Sequence, residues 1–167
     1  MNDQIVELSS PGFRVLMYSP EALLKLESGG RYATRFPDGW DLTDCANSAE
    51  VAAFGTRWDQ ADYWIHFSSS MDHTVIPQAS DHVLLGIEVS QRQLCVRGGD
   101  DLFEWQPSCP GEQILTLDDG FYHATVCMLP YNGQGAVRMY VHMAPCAHRP
   151  ELGYADVPEL YCVAPVL

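Results

Sequence analysis

The stretch DDGFYHATVCM, Asp118 to Met128, decides the fold. Asp118-Asp119-Gly120 is a turn, because Asp side chains bond their own backbone and Gly takes a positive φ at no steric cost. The chain then alternates, with Tyr122, Ala124, Val126 and Met128 on one face, the period of an extended strand. Working outward, the same period recurs on both sides. Val137, Met139, Val141 and Met143 oppose Arg138, Tyr140 and His142, and Gln113 to Leu117 forms a strand entering the turn. Val83, Leu85, Ile87 and Val89 share a face, Leu94 to Arg97 returns, and Tyr63, Ile65 and Phe67 oppose Trp64, His66 and Ser68.

The N-terminal third adds Phe13 to Tyr18 and Arg31 to Phe36 as strands, with Pro37-Asp38-Gly39 as a turn. Between the two strands, Ser19-Pro20-Glu21 reads as an N-cap, a first-turn Pro and a first-turn acid. The helix they open runs through Leu26 and ends at Gly29-Gly30. Asn47 to Phe54 fits either a short helix or a strand running toward Trp58; Gly55 and Thr56 favour the strand. Leu160 to Val163 adds an edge strand in a Pro-rich tail. Roughly nine short strands at hairpin spacing predict a mostly β protein. The expected fold is a single-domain antiparallel β-sandwich over residues 1–167 with one or two short helices.

Composition narrows the partner. The chain has 167 residues, 22 Asp and Glu against 9 Lys and Arg, and a formal net charge of -13. Nucleic acid needs clustered Lys and Arg to release counterions, so it is excluded as a partner, as is an anionic membrane surface. An acidic surface suits a basic protein, which it attracts over a Debye length. Asp38, Asp41, Asp44, Asp59 and Asp62 concentrate that charge, opposed within the stretch only by Arg57. Trp40 and Trp58 stand beside acids in the same segment, and aromatic anchors rimmed by charge are what interfaces use. These seven residues are the expected partner-binding set.

No apolar run is long enough to span a bilayer, and Met1 to Ser10 lacks the basic and apolar regions of a leader, so the expected location is the cytoplasm. The six cysteines, with no C-x-x-C, are then expected as free thiols, Cys127 packing as a small hydrophobe. Chemistry has few footholds. No phosphate loop, nucleophile elbow or paired catalytic carboxylates occur, and Lys25 is the single lysine. The chain therefore reads as non-enzymatic, with no cofactor. The alternative is a small metal-binding β-barrel enzyme or ligand-binding domain using His66, His123 and His142, which fall on the polar sides of their strands. Their spacing matches no metal motif. A third reading is an accessory protein that meets its own copies through apolar strand faces.

One resemblance accompanies this reading. The stretches VAAFGTRWDQADYWIHF (Val51 to Phe67), HVLLGIEVSQRQLCV (His82 to Val96), ILTLDDGFYHATV (Ile114 to Val126) and VRMYVHMAP (Val137 to Pro145) follow one another in a characteristic order. Their layout resembles that of competence protein J-type nuclease inhibitors and other bacterial immunity-like proteins. Gly120-Phe121-Tyr122 departs from that family's Gly-Tyr turn by one inserted residue, and the first 50 residues lie outside the likeness. The resemblance implies a β-sandwich that neutralises a toxin or nuclease by binding it, and it transfers no site residues.

Overall fold

The computed structural model describes residues 3–9, 12–22, 40–57, 61–99, 109–131 and 134–161. Its elements are β1 (Gln4–Leu8), β2 (Arg14–Tyr18), α1 (Trp40–Asn47), β3 (Val51–Gly55), β4 (Tyr63–Ser68) and β5 (Asp81–Val89). They continue as β6 (Gln93–Gly98), β7 (Ile114–Thr116), β8 (Gly120–Met128) and β9 (Val137–Cys146). Strands dominate, and the helices described are short. Two sheets form, one of five strands in the order β1-β4-β9-β8-β5 and one of four in the order β3-β2-β6-β7. Each strand predicted wholly within the described residues is present in whole or in part, but Leu160 and Tyr161, the described half of the expected edge strand Leu160 to Val163, form no strand. The predicted strand Arg31 to Phe36, the turn Pro37-Asp38-Gly39 and the helix beyond residue 22 lie outside them.

The main core lies between the sheets. From the five-stranded sheet come Val6, Leu8, Tyr63, Ile65, Phe67, Leu85, Ile87, Tyr122, Val126, Met139 and Val141; from the other come Val15, Met17, Phe54, Leu94, Val96 and Leu115. The inward set is the alternating set of the sequence, because burial selects one side of each pleat. The four-stranded sheet is covered on its outer side as well. There Leu16, Tyr18, Val51, Ala53 and Cys95 pack against Leu42 of α1 and Val157 of the C-terminal segment. This double burial explains why VAAF, Val51 to Phe54, carries no alternation to read.

Three features depart from expectation. The strand read from Asn47 starts instead at Val51, and residues 40–47 are helical. A Schellman motif ends that helix: Glu50 N–H donates to the Cys45 carbonyl (2.9 Å) and Ala49 N–H to that of Ala46 (3.3 Å). Ala49 stands where glycine is usual, at φ 58°. The sheets are not wholly antiparallel, since β4 runs parallel to β9, Tyr63 opposite Val137 through Ser68 opposite His142. And β1, whose Val6 and Leu8 face the core, was not anticipated from the opening residues.

The sheets meet at a corner. β5 leaves the five-stranded layer through a tight turn at Gln91 and Arg92 (φ 56° and 57°) and enters β6 in the other layer. β7 returns through Asp118-Asp119-Gly120, with Gly120 at φ 145°. The two turns hold each other: Arg92 N–H donates to Asp119 Oδ1 (2.6 Å), and its guanidinium lies 3.3 Å from Asp118 Oδ1. Beneath them sits Ser19, 2% exposed. Its Oγ lies 3.0 Å from the carbonyl oxygens of both Glu88 and Gln93 and accepts the Ser90 N–H at 2.9 Å. The serine read as a helix cap thus spends its side chain on the corner.

Candidate functional site

The acidic segment is only partly within the described residues. Asp38, Trp58 and Asp59 lie outside them, as do the side chains of Trp40 and Asp41 in α1. Asp44 projects to solvent from α1, whose Leu42 and Ala46 pack inward. Asp62 is also exposed, and its carbonyl accepts the Val137 N–H at 2.8 Å where β4 joins β9. Asp44 thus belongs to the cover of the four-stranded sheet and Asp62 to the five-stranded sheet.

The register of the five-stranded sheet puts a different group around Asp62. On its outer face Glu7, Trp64 and Arg138 lie in one row across β1, β4 and β9, and Ile5 and His66 in the next. Ile5 is 62% exposed and Trp64 50%, a large apolar pair facing water. Carboxylates rim it: Glu7 and Asp62 are exposed, and Asp3 lies 3.4 Å from His66 Nε2. A groove of about 430 Å³ adjoins Trp64, lined by Pro130, Tyr131, Ala136 and Arg138. Apolar anchors ringed by polar groups are the anatomy of a protein interface. The sequence held one signal for it, Trp64 on the polar side of an otherwise alternating strand; Ile5 gave none until β1 was placed.

Charge is distributed unevenly between surface and interior. No described carboxylate is buried, whereas Arg97 is 3% exposed. Of the other described arginines, Arg149 pairs with Glu88 at 2.5 Å, Arg92 with Asp118, and Arg57 stacks over the Tyr161 ring at 4.3 Å. Burial takes Arg97 off the surface, whereas Arg138 stays exposed opposite Trp64.

His66, His123 and His142 share the outer face of the five-stranded sheet but not a row. His66 lies opposite Tyr140, His142 opposite Thr125, and His123 opposite Ala144. Each step between them is a diagonal, roughly 7–8 Å. Among the described residues no group of three His, Cys, Asp or Glu could hold a metal ion. Tyr140 departs from its polar-side reading: it is buried, and its hydroxyl donates to the Ser70 carbonyl and accepts the Asp72 N–H at 3.1 Å.

A second group was missed altogether. On the outer face of the four-stranded sheet, Cys95 and Arg97 project from β6 beside Tyr18 of β2, which lies directly opposite Cys95. The half-buried Cys109, entering from the segment before β7, meets them. The Cys95 and Cys109 side chains are hydrogen-bonded, and Arg97 bonds both Cys109 and Tyr18. Burial pushes the Tyr18 hydroxyl well above its ordinary value. The spacing Cys95-x-Arg97 on a strand placed both on one side, but nothing in the sequence brought Cys109 there.

Two solved structures are similar to this chain. The chain is similar to crocagin biosynthetic gene J, with a TM-score of 0.56 and 13% identity over 87% of this chain and 99% of that one. It is also similar to ComJ, inhibitor of the DNA degrading activity of NucA, from Bacillus subtilis, with a TM-score of 0.46 and 11% identity over 87% and 96%. At such identities the likeness is one of fold. No protein-family model and no curated protein matches the sequence. Among the described residues, no helix is long and apolar enough to cross a membrane.

Proposed function

We propose that the protein is a non-enzymatic inhibitor that docks on a basic effector, a toxin or nuclease, and blocks it by occupying its working face. A fold does not carry a function, so the reading rests on the surface. The observation that carries it is the exposed Ile5–Trp64 pair with the carboxylates of Asp3, Glu7 and Asp62 around it. Nucleases that grip phosphate present basic faces, and a carboxylate surface both steers their approach and mimics their substrate's charge. Trp64 supplies the buried apolar area that charge alone does not. Asp38, Trp40, Asp41, Asp44, Trp58, Asp59 and Asp62 are the partner-binding residues of this reading, Asp62 beside this face and Asp44 a separate point of contact on the cover of the other sheet. The resemblance of strand-and-turn layout to competence protein J-type inhibitors belongs to the same class of activity.

The test is capture of the effector from the native host, followed by titration of the purified pair. Trp64→Ala should weaken binding by at least about tenfold, since hot-spot aromatics contribute about 2 kcal/mol or more. Lys at Asp44, Asp59 and Asp62 should slow association, and rising salt should abolish the difference. Binding indifferent to both sets of changes would remove the docking face and the acidic segment from the mechanism. A captured effector that keeps its full activity when saturated would exclude inhibition.

A further inference from the structure

The thiol pair on the other sheet takes no part in the docking face. Cys95 is 2% exposed and lies opposite Tyr18, its thiol turned outward beneath the segment that carries Cys109. Cys109 is half-buried, and as a thiol its Sγ donates to the Gln113 carbonyl at 3.7 Å. In its ionised form the same sulphur accepts from the Cys95 thiol, the Val96 N–H and the Arg97 guanidinium. All three donors favour the thiolate and hold Cys109 below the ordinary thiol range despite burial. Cys95 is driven the other way, first by its hydrogen bond to Cys109 and then by burial. One sulphur is thus set up to ionise and the other to keep its proton.

We propose that Cys109 and Cys95 form an oxidant-responsive pair, Cys109 the attacking sulphur and Cys95 the resolving one, which closes a disulfide when the protein meets a peroxide. In the first step the Cys109 thiolate attacks one peroxide oxygen. The O–O bond breaks, Cys109 becomes a sulfenic acid, and hydroxide leaves from hydrogen peroxide. In the second step the sulphur of Cys95 attacks that of the sulfenic acid. The S–S bond forms, the S–O bond breaks, and the thiol proton leaves with the hydroxyl as water. The two thiols lose two electrons to the peroxide. A second thiol already in contact ends the reaction at the disulfide instead of higher oxides. Arg97 neutralises the thiolate, a role a buried guanidinium fills without losing its charge. Burial instead raises the thiols of Cys127 and Cys146.

The experiment uses the full chain, fully reduced, exposed to hydrogen peroxide at neutral pH and mapped by peptide mass spectrometry after alkylation. The expected product is one linkage, Cys95 to Cys109, with a mass loss of two hydrogens. Brief iodoacetamide labelling of the untreated protein should modify Cys109 at least about tenfold faster than Cys127. In Cys95→Ser, peroxide should leave Cys109 as a sulfenic acid that dimedone traps. Cys109→Ser should leave Cys95 unreacted. A folded wild-type protein that forms no Cys95–Cys109 bond, or whose Cys127 reacts first, overturns the assignment. So does passage of wild-type Cys109 to the sulfinic acid. The labelling and wild-type mapping need no variant, so they decide the matter even where a serine substitution fails to fold.

Discussion

Ser19→Ala tests the corner that joins the two sheets. The substitution removes one oxygen, which accepts the Ser90 N–H at 2.9 Å and lies 3.0 Å from two carbonyl oxygens. The orphaned donor at Ser90 costs about 1–3 kcal/mol, because the Ser19 site is buried. The hydroxyl's single proton serves one carbonyl at a time, so its loss adds about 1 kcal/mol. The expected total is about 2–4 kcal/mol. For a chain of this length that lowers the melting temperature by roughly 4–16 °C. The assay is urea denaturation followed by tryptophan fluorescence and circular dichroism, reading a shift in midpoint at constant slope. Ser80→Ala is the internal control. Its Oγ only donates, to the Met128 carbonyl at 3.1 Å, and that carbonyl already receives the Ser80 N–H. A Ser19→Ala protein within about 0.5 kcal/mol of wild type, or no worse than Ser80→Ala, would refute the claim that this hydroxyl ties the layers together.

Further outcomes follow from single contacts. Gly86→Ala places a Cβ 2.6 Å from Pro150 Cβ and 3.2 Å from Ala49 Cβ, so urea denaturation should show a loss of about 1–3 kcal/mol; no loss would mean that the C-terminal segment yields freely. Thr74 donates to Asp72 Oδ1 from its hydroxyl (2.6 Å) and its N–H (2.8 Å), which holds the Asp72 carboxyl below its ordinary 3.8. A depressed carboxylate contributes stability above its unfolded pKa and loses it as pH falls through the folded one. Carboxyl NMR should therefore show Asp72 titrating below 3.8 and rising in Thr74→Val; a wild-type value at or above 3.8 contradicts the bond. Asp44→Lys and Asp62→Lys should leave stability within about 0.5 kcal/mol while weakening effector binding, the mark of residues kept for a partner. Peroxide-treated protein should melt roughly 6–12 °C higher than reduced protein. A disulfide closing a loop of about 15 residues contributes about 3 kcal/mol, and unchanged melting would show that the bond adds strain equal to its gain.

The alternating strands were legible because a sandwich buries one side of each pleat, so burial writes a period of two into the sequence. Val83 to Val89, Phe121 to Met128 and Val137 to Met143 follow that rule. The rule fails where both sides are covered. Val51 to Phe54 lies between the main core and α1, and its small apolar residues carry no period. The helix before it ends at Ala49 in a conformation that glycine usually marks, which removed the local stop signal.

By itself the sequence determined the fold class, the acidity and the absence of a phosphate-binding or nucleophile motif, since these follow from composition and from spacing along one strand. Which residues share a surface was decided only by the register between strands. Ile5 and Trp64 are 59 positions apart by their numbers, and β1 pairing with β4 makes them neighbours. Register likewise put His66, His142 and His123 on successive diagonals. The meeting of Cys109 with Cys95 and Arg97 depended on a loop returning over the sheet. A contact that closes through space leaves no period along the chain, so the docking face and the thiol pair both had to wait for the tertiary structure.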